Sequence, residues 1–244
     1  AKGLAIGSGL PLLGINHLEG HLYSAWLGDV GKEPGKSPEF PLLALIVSGG
    51  HSELILMKDH LVYERLGGTL DDAAGEAFDK VARLLELGYP GGPAIQEAAQ
   101  GGDPGMFDFP RSWLEDSYNF SFSGLKTAVL RTVQQLEKQK STLPKEDLSA
   151  SFQEAVVDVL YQKTIRAAGE FGTKDILVAG GVSANQALRK KFKAQRKYRV
   201  YIPPLFLCTD NAAMIAAAGC FRFQAGQRDD LEMDAAPTWS ISDL

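Results

Sequence analysis

His17 and His21 lie four residues apart in Asn16-His17-Leu18-Glu19-Gly20-His21, so on a helix they share one face about one turn apart. Two neutral imidazoles so placed can grip a metal, since imidazole is the commonest protein ligand for zinc and iron. Two donors leave such a site incomplete, so a third has to arrive from far along the chain. The same spacing also occurs in buried or surface histidine pairs that bind nothing, and context must decide. Asp210, in Cys208-Thr209-Asp210, is a hard oxygen donor of the kind that completes a His/His/carboxylate site with positions left open. Its plainer role is the N-cap of the last helix. The two roles use different carboxylate oxygens and can coexist.

Two glycine pairs stand where backbone amides can approach a ligand. Ser48-Gly49-Gly50 follows an apolar run, and successive N–H groups in such a turn can cradle an anion, although Gly-Gly also suits a plain hairpin. Gly180-Gly181-Val182-Ser183-Ala184-Asn185 sits after a strand and before a helix, where open α/β sheets bind ligands. Ser183 serves as a helix cap in the simplest reading. The double glycine exceeds what capping requires, and lets a flat nucleoside lie against the backbone with the Asn185 amide within hydrogen-bonding reach. Asp79 either pairs at the surface with Lys80 or Arg83, or faces a cleft and accepts hydroxyl hydrogens from a substrate.

These residues need elements to hold them. Residues 1–9 read as a helix fragment, 11–15 as a short apolar stretch, and the helix bearing His17 and His21 follows. Residues 28–41 are rich in Gly, Pro and Lys and read as a loop. Leu42–Val47, Glu53–Met57 and Leu61–Arg65 read as strands, the first two forming a hairpin. A helix runs from Asp71 with Ala74, Ala77, Val81, Leu84 and Leu85 on one face, closed by Gly88. Tyr89-Pro90-Gly91-Gly92-Pro93 breaks the chain before a short helix at Ala94–Gln100, and 101–120 form a long loop. Helices at Gly124–Gln139 and Asp147–Phe171 carry core residues only. Asp175–Ala179 and Tyr198–Ile202 complete the strands, and Asp210–Gly226 closes the chain with an Ala-rich helix. Strands and helices mixed in two groups predict an α/β protein of two lobes around a cleft.

The 244 residues suffice for a sizeable core, and 45% hydrophobic with 23% charged residues is ordinary for a folded globular chain. A formal charge of -5 excludes nucleic-acid binding by global charge, so an RNA contact needs a local basic patch. Cys208 and Cys220 are too few for a disulfide framework; with no signal peptide and no eighteen-residue apolar span, a reducing cytoplasm fits and no membrane is expected.

Seven stretches occur in one order: His17-Leu18-Glu19-Gly20-His21, Val47-Ser48-Gly49-Gly50-His51, the block Asp71 to Lys80, Tyr89 to Pro93, Phe120-Ser121-Phe122-Ser123-Gly124-Leu125-Lys126, Gly180 to Asn185, and Cys208 to Ala213. Together they closely resemble the bacterial tRNA N6-adenosine threonylcarbamoyltransferase family, formerly called the glycoprotease family, across nearly the whole chain. The resemblance implies an actin/Hsp70/sugar-kinase-like fold and transfer of a threonylcarbamoyl group from threonylcarbamoyl-AMP to a tRNA adenosine beside the anticodon. It implies that His17, His21 and Asp210 bind one divalent metal, Fe(II) or Zn(II). It places Ile46, Val47, Ser48, Gly49 and Gly50 at the phosphate and acyl part of threonylcarbamoyl-AMP or ATP, Asp79 and Gly92 on the sugar side, and Asn185 near the adenine. No residue is assigned as general base. A hetero-complex with a non-catalytic paralogue and a small ATPase is implied as well. Residues 1–40 with 212–244 are expected to form the remainder of an N-terminal lobe, and 41–211 the second lobe with the phosphate and adenosine loops. Ala1 reads as the middle of a helix, so the family's first strand and phosphate loop are expected to be missing from the N-terminal lobe.

For RNA, the densest basic run is Arg189, Lys190, Lys191 and Lys193, continuing through Arg196, Lys197 and Arg199, with Lys126 and Arg131 as a second patch. Most of these are expected to be a solvated helix face. Other readings stay open: a small-molecule carbamoyltransferase, a non-catalytic scaffold subunit, or a metalloprotease. The last fits poorly, because zinc proteases place Glu directly after the first His and this chain has Leu18 there.

Overall fold

The structure, a computed structural model, describes residues 1–27, 37–114, 117–140, 142–237 and 239–241. Of the loop expected at 28–41, residues 28–36 lie outside the described residues, as do 115 and 116 of the loop expected at 101–120.

The six apolar residues of β1 (Leu42–Val47) are all fully buried. A strand covered on both faces reads as an unbroken apolar run rather than an alternating one, and β1 is such a strand. It lies third in a five-stranded sheet ordered β3-β2-β1-β4-β5. It pairs antiparallel with β2 (Ser52–Asp59) through the Ser48–His51 turn, and parallel with β4 (Asp175–Ala179). β3 (Val62–Gly67) and β5 (Arg199–Tyr201) form the edges. The parallel β1–β4 pair needs a long crossover, supplied by α3 (Ala74–Leu84), α4 (Gly91–Ala98), α5 (Ser123–Lys138) and α6 (Lys145–Glu170).

Alternate residues of β1 serve two cores. Leu43, Leu45 and Val47, with Ile176 and Val178, meet Phe78 and Val81 of α3, Val129 of α5 and Phe152 and Val156 of α6. Leu42, Ala44 and Ile46, with Leu177 and Ala179, meet Leu18, Leu22 and Tyr23 of α2 (His17–Tyr23) and Ala218 of α9 (Ala212–Gln224). Truncating one of these buried leucines to Ala costs about 2–5 kcal/mol. The histidine helix is thus pressed onto the sheet beside the closing helix, and the site inherits that rigidity. α1 (Lys2–Ser8) buries no residue.

Several elements differ from the expectation. α4 begins at Gly91 rather than Ala94, because Pro93 falls in its first turn, where a missing N–H costs nothing. A short helix, α8 (Leu205–Cys208), follows Pro203-Pro204, between the strand and the closing helix expected on either side. A 3-10 turn at Gly181–Ala184 precedes α7 (Gln186–Ala194). α7 is capped by Asn185, whose Oδ1 accepts from Leu188 N at 3.0 Å, and not by Ser183. α9 starts at Ala212 with Asn211 as its cap, so the capping role offered to Asp210 is not the one it fills.

Candidate metal centre and cleft

The Asn16 side chain starts α2 by accepting from Leu18 N at 2.9 Å, and its amide donates to Trp239 O at 2.8 Å. His17 and His21 then project from one face, with ring centroids 4.9 Å apart and edge to face. At the far end of the chain Asn211 Oδ1 accepts from Met214 N at 2.9 Å, which relieves Asp210 of capping duty. The Asp210 carboxylate instead meets both imidazoles: Oδ1 lies 3.2 Å from His17 Nε2 and 3.4 Å from His21 Nε2. One donor atom from each of the three lies within 4.8 Å of the others.

The donor set fits a metal. Bonds of 2.0–2.2 Å in a tetrahedral shell separate neighbouring donors by about 3.4 Å, close to the two N–O distances seen. His21 is buried, and neither ring nitrogen makes a hydrogen bond; the 3.4 Å approach of Asp210 lacks hydrogen-bond geometry. Orphaned buried nitrogens call for a partner. Burial, followed by repulsion from His17 and partly offset by Asp210, lowers the His21 pKa to about 4. The ring is therefore neutral at pH 7, the form that ligates.

Beside this cluster opens a cavity of about 330 Å³ whose walls include Gly49, Asp79, Gly92, Gly181, Asn185 and Thr209. Four residues expected at a ligand site, Gly49, Asp79, Gly92 and Asn185, are thus brought to one cavity from four separate motifs. Thr209 joins the two features, lining the cavity while its neighbour Asp210 faces the imidazoles. Asp79 makes neither surface pair considered for it; its Oδ1 accepts from Gly91 N at 2.7 Å. Asn185 Nδ2 donates to Gln153 Oε1 at 2.7 Å while its Oδ1 caps α7, so both ends of its amide are engaged and one Nδ2 hydrogen is left for a ligand. Ile46 and Val47 have fully buried side chains and can offer a ligand only backbone. Ser48 and Gly50 belong to the adjoining turn, where Ser48 N donates to His51 O at 2.8 Å.

Gly75 and Gly180 explain how the walls close. A Cβ on Gly75 would sit 2.5 Å from Ser48 O, and one on Gly180, at φ +90°, 2.4 Å from Val47 O. Gln96 also lines this cavity, and its Oε1 accepts from Gln186 N at 2.7 Å; nothing in its local sequence marked it. A second cavity, of about 310 Å³, flanks His17 with His51, Met233 and Trp239 in its wall. It depends on the C-terminal segment folding back, which no local pattern shows.

A family model described as tRNA N6-adenosine threonylcarbamoyltransferase matches residues 1–217. The chain belongs to that family. It is 53% identical over 253 residues to the tRNA N6-adenosine threonylcarbamoyltransferase of Thermomicrobium roseum, covering 96% of this chain and 69% of the relative. It is 53% identical over 242 residues to the protein of that name from Dehalococcoides mccartyi, covering 99% of this chain and 71% of the relative. Among solved structures, HypF from T. kodakarensis superposes with a TM-score of 0.66 at 15% identity, covering 92% of this chain and 39% of HypF. That likeness concerns the fold, which is of the actin/Hsp70/sugar-kinase-like type, and the resemblance carried by the seven motifs is borne out. Among the described residues no helix is long and apolar enough to cross a membrane.

Three of the seven residues of the basic run are held in structural contacts. Lys191 pairs with Glu154 at 2.7 Å and with Asp158, Arg199 pairs with Asp175 and Glu39, and Arg189 donates to the carbonyls of Ser183 and Pro203. Lys126, of the second patch, pairs with Asp72 at 2.7 Å. Lys190, Lys193, Arg196 and Lys197 are exposed, consistent with a solvated face.

Proposed function

We propose that this chain transfers a threonylcarbamoyl group from threonylcarbamoyl-AMP to N6 of the tRNA adenosine adjacent to the anticodon. The observation that carries the reading is the convergence of His17, His21 and Asp210 at the rim of a cavity lined by Gly49, Asp79, Gly92 and Asn185. Family membership supplies the reaction class and the tRNA substrate.

In the reaction the adenosine amine attacks the carbamoyl carbon, a C–N bond forms, the bond from that carbon to the phosphate oxygen breaks, and AMP leaves as the amine loses a proton. The Ser48–Gly50 turn and the backbone of Ile46 and Val47 hold the phosphate and acyl portion. Asp79 keeps one oxygen on Gly91 N and offers the other to a ribose hydroxyl, beside Gly92. The second Nδ2 hydrogen of Asn185, beyond the one given to Gln153, is offered to the adenine. His17, His21 and Asp210 would hold a divalent metal, iron(II) or zinc(II), which when bound supplies Lewis acidity toward carbamoyl and phosphate oxygens. A division into lobes at 1–40 with 212–244 and at 41–211, hetero-partners of the paralogue and small-ATPase kind, and a cytoplasmic setting belong to the same reading.

The test is to incubate the chain and its His21→Ala variant with threonylcarbamoyl-AMP and tRNA, then measure metal content and modified adenosine by mass spectrometry. Loss of both in the variant is expected. A variant that keeps full metal occupancy overturns the ligand assignment, and a wild-type chain that leaves tRNA unmodified in the presence of its partners overturns the activity.

A further inference from the structure

Glu19 stands between the two imidazoles in sequence but, two residues on from His17, projects from the opposite side of α2. Its side chain is fully buried, with Oε1 accepting from the Tyr63 hydroxyl and Oε2 from Arg222 Nε, each at 2.6 Å. Tyr63 belongs to β3 and Arg222 to the last turn of α9, the helix that Asp210 precedes. From Arg222 the chain of contacts continues: Nη1 donates to Gln227 Oε1 at 2.8 Å, and Gln227 Nε2 to Asp229 Oδ2 at 3.0 Å. The same Asp229 oxygen accepts from Gly14 N at 2.7 Å, two residues ahead of the α2 cap. α2 is therefore held by directional bonds on its buried side and at its entry, while its other side presents the imidazoles to Asp210.

A buried ion pair is a poor stabiliser, because removing two charges from water offsets most of their attraction, and apolar residues of similar volume often do as well. Here Arg222 Nη2 is even left without a partner. What hydrogen bonds add over apolar packing is orientation. An apolar helix face can slide and roll on its neighbours, whereas a carboxylate tied to a phenol on the sheet and a guanidinium on α9 fixes both.

We infer that Glu19, Tyr63 and Arg222 are positioning residues that set the roll of α2 against α9, and with it the geometry in which His17 and His21 meet Asp210. The inference rests on the reading of those three donors as a metal site. It goes beyond them in naming an ionic clamp, remote from the donors themselves, as what tunes the site.

Cobalt(II) titration of the full chain tests it, because the visible d–d bands report coordination geometry independently of activity. Four proteins are compared: wild type, His21→Ala, Glu19→Met/Arg222→Met and Tyr63→Phe. The double variant removes both charges while roughly keeping volume, and frees the Tyr63 hydroxyl and Gln227 Oε1, so it should stay folded without metal, with a modest fall in melting temperature. Its cobalt affinity should nevertheless fall about 10- to 100-fold with shifted bands, and Tyr63→Phe should move the same way by a smaller factor. A double variant with wild-type affinity and spectrum reduces the clamp to a structural pair and overturns the inference. Should that variant not fold, Tyr63→Phe decides alone, with an unchanged affinity and spectrum counting against the clamp. Undiminished cobalt binding by His21→Ala would instead sink the metal-site reading itself, a separate outcome.

Discussion

At the scale of single residues, the cavity owes its shape to atoms that are missing. Ser48 O and Gly49 O accept from Gly75 N and Glu76 N, each at 3.1 Å, so the β1–β2 turn is clamped to the first amides of α3. That contact leaves no room for a Cβ at Gly75, where it would meet Ser48 O at 2.5 Å and Gly49 Cα at 2.7 Å, both backbone. Gly75→Ala must push α3 off the turn, and a loss of about 1–3 kcal/mol is expected, in line with other overpacked sites. Gly50→Ala is the matched control, since its Cβ would face open space and stability should hold within about 0.5 kcal/mol. Chemical denaturation of both variants checks the contrast. Equal losses would show that the turn resists any side chain, whatever the packing against α3.

At the scale of elements, long side chains tie loops to helices, and sequence patterning shows little of this. Asp71 Oδ1 accepts from Phe122 N at 2.9 Å and Ser123 N at 3.3 Å, and Oδ2 accepts from Ser121 Oγ at 2.5 Å. The carboxylate of one motif thereby caps α5, which begins in another. Asp71→Ala should cost about 1–2 kcal/mol, the range of a lost cap, with hydrogen exchange rising first in the opening turn of α5; uniform protection there would rule out the cap. Lys163 of α6 does similar work. It is buried and donates to Ser117 O at 3.0 Å and Asn119 O at 2.6 Å. Burial, with repulsion from Arg166 added, pushes its pKa from 10.5 down to about 8. Between those two values the unfolded chain keeps a proton that the folded chain has released, so the contribution of Lys163 to stability rises with pH across that window. Unfolding of wild type and Lys163→Met compared from pH 7 to about pH 10 should show the difference moving in favour of wild type, by at most about 3 kcal/mol. A pH-independent difference would mean that the ammonium is not held in the interior.

The same contrast governs what was legible. His17 and His21 are four apart, and helical period alone puts them on one face; β1 announces burial by its unbroken apolar run. Asp210 has the chemistry of a third donor, but its local context favours a cap; the resemblance ties it to the histidines, and only the fold shows Asn211 in the capping place. Lys191 looked like one of many solvated cations, and nothing near it in sequence reveals that Glu154 and Asp158 of α6 lie opposite. Long-range polar pairs such as Glu19 with Arg222 are invisible to periodicity, since period describes one element and the pair belongs to two.

For the whole molecule, the decisive geometry is that α2, near one end of the chain, and the segment before α9, near the other, supply donors to one cluster. Unfolding separates these ends, so a metal held there binds the folded chain and not the unfolded one. Linkage then requires metal to stabilise the fold by about 2.7 kcal/mol at a hundredfold excess over Kd. Melting of the chain should therefore rise with added zinc(II), return on chelation, and lose its metal response in both His21→Ala and Asp210→Ala. Asp79→Ala separates the two halves of the site, because Asp79 lines the cavity and is not among the three donors. That variant should keep the full metal-dependent rise while losing the stabilisation conferred by an adenine nucleotide. If the nucleotide response survives in Asp79→Ala, the cavity binds its ligand without that carboxylate. If zinc(II) stabilises Asp210→Ala as much as wild type, the two ends of the chain meet for a reason other than metal.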